Sequence, residues 1–495
     1  MRWTAVQVAE ALGVPPPAGL DPVVGLAGVS IDSRSVQSGE LFLAVRGPRH
    51  DGHDFVAGAL AGGAAAGLVA RECFQDYPEE IRLRLFAVDD TLAALHVLAS
   101  RACDLWRQGR HGGQHERWIA GVAGSVGKTT TKEILAALVA SRFRVLKTQG
   151  NLNNEYGLPL TLLALGEEHD AAVVELGMSH RGELARLAKI ARPEIGVITR
   201  VAIEHLEFFS SIADIALAER ELIEHLAGRD ATAILNADDE RVARFADVAS
   251  GRVIRFGTSA GAEIRAEAIE ERGIEGSAFD FIFPSGRARL ELPLIGRHNV
   301  MNALAALAAA SVWGIGATEA KEVFPKLVPA DKRGEVVRYE EGFTVINDSY
   351  NSSPSALRAL AGVLATTPGY RRRILASGEM LELGETAPEL HRECGCEIAA
   401  LRGIDWIFGV QGYSAELVRA AIEAGHPKER VQFFENSSEA AMFLSSFVGR
   451  GDLLLLKGSR GVKMERILEA IEEQHPRAGA KAPRAITKPE GKGRD

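Results

Sequence analysis

Residues 118–130 read Trp-Ile-Ala-Gly-Val-Ala-Gly-Ser-Val-Gly-Lys-Thr-Thr. Trp118–Val122 is the pattern of a buried strand, Gly124–Gly127 a glycine turn, and Thr130–Ala140 a helix. A strand that runs through glycines into a helix N-terminus offers backbone N–H groups to an anion. Gly124, Ser125, Val126 and Gly127 would form the cradle, with Lys128 reaching the β- and γ-phosphates of ATP. Thr129 would turn its hydroxyl to Mg²⁺, and Thr130 completes the motif. The longer G-x-x-x-x-G-K-[ST] form is absent because Val122 stands where its first glycine would be, leaving G-x-x-G-K-T.

Outward from this loop, Ala171–Glu175, Ile195–Ile198 and Ala231–Leu235 read as further strands, and Asn299–Ala310 as a helix closing the domain. Strands alternating with helices imply a mainly parallel α/β sheet. Upstream, Leu41–Val45 and Gly67–Ala70 read as strands, with a helix from Phe55 to Ala65. Downstream, Phe343–Asn347, Arg373–Ala376, Trp406–Phe408 and Leu453–Leu456 read as strands of a second nucleotide-fold-like, Rossmann-like unit. Three α/β domains are expected: 1–106, 118–325 and 326–474. Residues 107–117 would be a polar linker, and 475–495 a disordered basic tail.

The 495 residues carry a net charge of −9, with 46% hydrophobic and 25% charged side chains. That balance fits soluble domains and argues against general nucleic-acid binding. No run of 18 apolar residues and no leader-like N-terminus occurs, so neither membrane insertion nor export is expected. Cys73, Cys103, Cys394 and Cys396 match neither a zinc spacing nor a disulfide framework and read as reduced thiols in the cytoplasm.

The segment Gly121–Leu163 closely resembles the central domain of the Mur ligases, and Gly150–Glu155 with Gly157-Leu158-Pro159 resembles their D-alanyl-D-alanine-adding branch. Similar blocks follow in the family's order at Val174–Met178, Glu204–Glu207, Leu235–Asp239, Gly296–Asn299, Asn347–Pro354, Gly378–Gly384 and Lys457–Arg460. Asp32–Arg34, Gly39–Phe42 and Asp51–Phe55 resemble the family's UDP-sugar domain. The resemblance implies an ATP-dependent amide ligase of peptidoglycan precursor synthesis. It would join D-alanyl-D-alanine to a UDP-N-acetylmuramoyl-tripeptide through an acyl phosphate, as a cytoplasmic monomer.

The same resemblance implies residue roles. Lys128, Glu175, His205 and Arg333 would be catalytic, with Glu175 and His205 as metal ligands beside Thr129. Asn236 and Asn302 would lie near the adenine, and Arg333 and Asp348 would meet the nucleotide from the third domain. Asn151, Asn153 and Asn154 are candidates for the tripeptide; Ser33 and Arg34 for the uridine diphosphate, where an Arg gives charge-assisted hydrogen bonds. Many family members carry a carbamylated lysine in the helix after the histidine block. Here Glu219 holds that place and would support the metal as a ready-made carboxylate. Two other readings stand beside this one: a ligase adding diaminopimelate or lysine, whose Asp-Asn-Pro-Arg block is missing, and a nucleotide-binding module without catalysis.

Overall fold

The computed structural model describes residues 3–47, 50–109, 117–228 and 230–479. The chain divides into two compact units, Met1–Val328 with Glu382–Gly384, and Pro329–Leu381 with the chain from Glu385 onward.

Among the described residues unit 1 contains a two-stranded antiparallel pair, Trp3–Thr4 with Gly25–Leu26, and two larger sheets. Val29–Ser30, Leu41–Leu43, Ala66–Ala70 and Leu85–Val88 pair in that order, all parallel. The helix Thr91–Gln108 follows, its first turn capped by Asp90, whose carboxylate accepts from the Leu92 and Ala93 N–H groups. It buries Trp106 and continues past the start of the expected linker. Arg107, read as linker, donates instead to Glu194 at 2.8 Å and to the Ala191 and Arg192 carbonyls. At the other end Arg117 stacks on the Trp106 ring at 5.5 Å. Residues 110–116 of that linker lie outside the described residues.

The second sheet has nine strands. Across it run Gly286–Leu292, Ser277–Phe283, Ile264–Glu271, Arg252–Gly257, Thr232–Asn236, Ile195–Ile198, Trp118–Ala123, Ala171–Glu175 and Val145–Lys147. Pairing is parallel from Ile264–Glu271 to Val145–Lys147, and antiparallel only at the far hairpins. The chain leaves Trp118–Ala123 on one side and returns at Ile195–Ile198 on the other, so the glycine loop opens at a switch in strand order, where α/β sheets bind ligands. The helix Arg297–Ala310 runs over nearly the residues expected for it. It is buried on nearly every face against the helix Lys128–Val139, because alanine and leucine fill all its sides, and Ala317–Val323 follows it.

Unit 2 is one six-stranded sheet. Glu335–Arg338 pairs antiparallel with Thr344–Asp348; Asp452–Lys457, Arg372–Gly378, Trp406–Val410 and Val431–Phe434 continue in parallel. The last strand among the described residues, Asp452–Lys457, thus lies in the middle, as in a Rossmann-like sheet. Pro476 and Ala478, read as disordered tail, hydrogen-bond to Glu340 and Arg338 at the sheet edge; residues 480–495 lie outside the described residues. No helix of the described residues is long and apolar enough to cross a membrane.

Candidate nucleotide site

The glycine loop is held by the neighbouring strand end. Thr199 shares its hydroxyl proton between the Ala123 carbonyl at 3.2 Å and the Val126 carbonyl at 2.7 Å. The Ser125 N–H donates to the Arg200 carbonyl at 2.8 Å. Gly124 and Gly127 have φ of 122° and 90°, a region that side chains avoid. A Cβ at Gly124 would lie 2.2 Å from Thr199 Oγ1; one at Gly127, 2.3 Å from Asn302 Oδ1. Lys128 curls over the loop and donates to the Gly124 and Ser125 carbonyls at 2.6 and 3.0 Å. Thr129 is buried, while Thr130 is partly exposed.

The two asparagines expected near the adenine act on the loop. Asn302 abuts Gly127 and donates to Asn299 Oδ1 at 2.9 Å. Asn236 donates to the Thr199 carbonyl at 2.8 Å and accepts from the Asp238 N–H at 2.9 Å. Both amides brace the loop and its neighbour.

Glu175 ends its strand with 2% exposure. Its Oε1 accepts from Asn153 Nδ2 at 2.9 Å, and its N–H donates to Thr148 Oγ1 at 3.0 Å. Its Oε2 is buried without a hydrogen bond, 4.0 Å from the Lys132 ammonium. Lys132 is fully buried and also bonds the Thr148 carbonyl and Glu133, each at 2.8 Å. Asn153 therefore serves Glu175, and Asn154 Oδ1 accepts from the Tyr156 and Gly157 N–H groups at the start of the helix Gly157–Leu163. Asn151 is exposed.

On the other side of Lys128 stand two carboxylates. Glu204 lies 3.5 Å from its ammonium. Glu219, on the helix Ile212–Glu224, is 1% exposed. Burial pushes its carboxyl up to about 8; Lys128 opposes that, Glu204 adds to it, and a hydrogen bond from the Gly124 N–H opposes it. Burial also raises Glu204, against the pull of Lys128 and His205. His205 follows Glu204 with a positive φ of 53°. Glu204 and Lys132 were missed as site residues; their signal is spatial pairing, which spacing along the chain does not carry.

Among the described residues no group of three or more His, Cys, Asp or Glu could hold a metal ion on its own. Glu175 Oε2 and Glu219 Oε2 are nonetheless buried oxygens without hydrogen-bond partners. They and the Thr129 hydroxyl are hard oxygen donors, the kind that fits Mg²⁺, which takes few protein ligands and completes its shell with water and phosphate oxygens.

Elsewhere in unit 1, Arg34 is 88% exposed and pairs with Asp32 at 2.7 Å; this hydrogen bond holds the Asp32 carboxyl down at about 2. Ser33 sits half-buried in the same turn. In unit 2, Asp348 ends its strand and pairs at 2.5 Å with Lys457, which is 2% exposed. Arg333 lies over the Tyr350 ring at 4.2 Å, and Arg460 lies 5.7 Å from the same ring.

Three family models match in order: "Mur ligase family, catalytic domain" at residues 26–102, "Mur ligase middle domain" at 122–310, and "Mur ligase, glutamate ligase domain" at 332–460. The UDP-N-acetylmuramoyl-tripeptide–D-alanyl-D-alanine ligase of Bacillus subtilis is 34% identical over 446 residues, 90% of this chain and 93% of that one. The enzyme of the same name from Escherichia coli is 34% identical over 455 residues, covering 91% and 94%. Among solved structures, MurF from Acinetobacter baumannii superposes with a TM-score of 0.83 at 29% identity, covering 96% of this chain and 99% of that one. MurF from Thermotoga maritima in complex with ADP gives 0.76 at 28% identity, covering 90% and 97%. A relative of this identity over nearly its whole length settles descent, and this chain belongs to the Mur ligase family, on its D-alanyl-D-alanine-adding branch.

Proposed function

We infer that this protein joins D-alanyl-D-alanine to a UDP-N-acetylmuramoyl-tripeptide at the expense of ATP. The observation that carries the reading is the loop at 124–130, with buried, hydrogen-bond-free carboxylate oxygens of Glu175 and Glu219. Simple nucleotide storage gives no reason to keep such oxygens unpartnered, since each costs free energy when buried.

The chemical problem is to bring an anionic carboxylate to an anionic triphosphate. The tripeptide carboxylate attacks the γ-phosphorus, ADP leaves, and an acyl phosphate forms. The amine of D-alanyl-D-alanine then attacks the acyl carbon, and inorganic phosphate departs as the amide forms. Loop N–H groups and Lys128 hold the phosphates and offset their charge. For this, Lys128 exchanges the Gly124 and Ser125 carbonyls for phosphate oxygens. Mg²⁺, held by Thr129, Glu175 and Glu219 with His205 nearby, would supply the remaining charge neutralisation. Asn153 and Lys132 keep Glu175 aimed. In unit 2, Arg333 takes a γ-phosphate oxygen and Asp348 the nucleotide; the turn at Ser33 and Arg34 takes the uridine diphosphate, and Asn151 a polar group of the tripeptide. We place the enzyme in the cytoplasm, as a monomer.

The test is phosphate release from ATP with purified substrates, with the product identified by mass spectrometry. Release must require both the UDP-tripeptide and D-alanyl-D-alanine. Equal release with lysine or diaminopimelate and a UDP-dipeptide would move the chain to a neighbouring branch; release without any acceptor would remove the ligase reading.

A further inference from the structure

Lys128 sits among oxygens. Its ammonium donates to the Gly124 carbonyl at 2.6 Å and the Ser125 carbonyl at 3.0 Å, and Glu204 Oε1 stands 3.5 Å away. Charge-assisted N–H···O bonds close to about 2.7–2.9 Å, so Glu204 feels the charge of the lysine without a hydrogen bond from it. Glu204 Oε1 is buried and has no hydrogen-bond partner. Glu219 Oε2 is in the same condition, on a side chain that is 1% exposed. The two acids act on each other and on the same lysine.

The proposed reaction takes Lys128 away from this place. Its ammonium exchanges the two carbonyls for phosphate oxygens. Glu204 and Glu219 then stay behind as buried carboxylates, without the ammonium that balanced them and with a triphosphate beside them. Buried like charges without a counter-ion are strongly unfavourable. A carboxylate kept only as the counter-ion of Lys128 would close to hydrogen-bond distance. A carboxylate kept for a metal holds an oxygen open, as Glu204 does. Oxygens that already surround an ammonium also suit a hard divalent cation, which is bound through one or two carboxylates and completes its shell with phosphate oxygens and water. Two acids meet that need, although among the described residues no three make a metal set by themselves.

We propose that Glu204 is a metal-ligating residue of the ligation reaction, paired with Glu219, and that Lys128 holds their place as an internal cation until nucleotide draws it off. The proposal rests on the ligase reading above and deepens it, adding a ligand and making metal entry conditional on nucleotide. Every group it uses belongs to unit 1.

The experiment follows Mn²⁺, which takes the same oxygen donors as Mg²⁺, by the loss of its free EPR signal, so that no turnover is involved. Without nucleotide, Lys128→Met should bind Mn²⁺ at least about tenfold more tightly than wild type, because the internal cation is gone. Adding Glu204→Gln to Lys128→Met should abolish that gain, and adding Glu204→Asp should keep part of it. With Lys128 in place, Glu204→Gln should weaken Mn²⁺ binding to the ADP complex by at least about tenfold. If Lys128→Met does not fold, the ADP complex of Glu204→Gln decides the matter. Lys128→Met that binds Mn²⁺ no more tightly than wild type overturns the proposal. So does Glu204→Gln that leaves Mn²⁺ binding to the ADP complex unchanged, which would make Glu204 a counter-ion of Lys128 only. Phosphate release by wild type with both substrates is measured separately. Its absence overturns the ligase reading, whereas its presence beside a failed Mn²⁺ titration overturns the role of Glu204 alone.

Discussion

Replacing Gly124 by alanine tests the loop where its geometry is tightest. Its φ of 122° is strained for any residue with a Cβ, at a cost of about 1–3 kcal/mol. The new methyl would meet Thr199 Oγ1 at 2.2 Å and the backbone nitrogens of Thr199 and Arg200 at 3.0 and 3.1 Å. The hydroxyl can rotate away only by giving up its bonds to the Ala123 and Val126 carbonyls, each worth about 0.5–1.5 kcal/mol. The nitrogens cannot move without shifting the strand end. Together these terms predict a loss of roughly 3–5 kcal/mol. At about 2–4 °C per kcal/mol, the transition of unit 1 should fall by roughly 6–20 °C. Scanning calorimetry measures it, with the two units analysed as separate transitions. Titration calorimetry with ADP should show at least a tenfold weaker complex. Thr199→Ala supplies the cross-check. In that background Gly124→Ala should cost about 1–2 kcal/mol less, because one obstacle is gone while the nitrogens remain. A Gly124→Ala protein that melts within about 2 °C of wild type and binds ADP as tightly would refute the reasoning.

Two other outcomes follow from the buried charges. Lys132→Met leaves the Glu175 carboxylate without its cation and Glu133 with Lys147 alone, so urea unfolding should show a loss of about 3 kcal/mol; a change below about 1 kcal/mol would mean the lysine is dispensable to its partners. Glu219 binds its proton more tightly folded, at about 8, than unfolded, near 4.5. For a carboxyl raised in this way, its contribution to stability is full below the unfolded value and declines as pH rises toward the folded one. Chelator-treated, nucleotide-free enzyme should therefore lose on the order of 3 kcal/mol between pH 4.5 and 7 through this residue. Glu219→Gln should remove that part of the slope, and parallel pH profiles for wild type and variant would show that the carboxyl is not shielded.

The sheets were readable where strands are buried on both faces. Ala171–Glu175 and Ile195–Ile198 run over the residues that the apolar pattern marks, because a parallel strand covered by helices must be apolar throughout. The antiparallel end of the same sheet escaped. Ile264–Glu271 begins as an alternation, but the register shifts between Glu267 and Glu270, and Ala268 takes a φ of 46°. A bulge resets the side-chain period and hides the strand from a period-two reading. Its charges pair both locally, Arg265 with Glu267, and across strands, where Arg289 reaches Glu270.

The same distinction separates the readable from the hidden part of the site. Gly124, Gly127 and Lys128 are dictated by local geometry, and local geometry leaves a motif. Lys132 does not: between Thr131 and Glu133 on a helix it reads as a solvated side chain, yet it is fully buried behind Glu175. Glu204 and Glu219 are likewise ordinary acids in sequence and become site residues through one shared neighbour, Lys128. Resemblance pointed to the position of Glu219 but could not show whether the shorter side chain reaches the loop. Its burial and the Gly124 N–H answer that, because an acid with no purpose there would have turned to solvent at little cost. The charge pattern therefore has a consequence for the nucleotide-free enzyme. Lys128 is held within the protein by the Gly124 and Ser125 carbonyls and faces Glu204 at 3.5 Å, so an arriving triphosphate must displace those partners as well as shed its own water. Affinity for nucleotide is then a difference between two well-satisfied states of one lysine, so Glu204→Gln should change the affinity for ADP in titration calorimetry without touching the motif that announces the site, and an unchanged affinity would refute this.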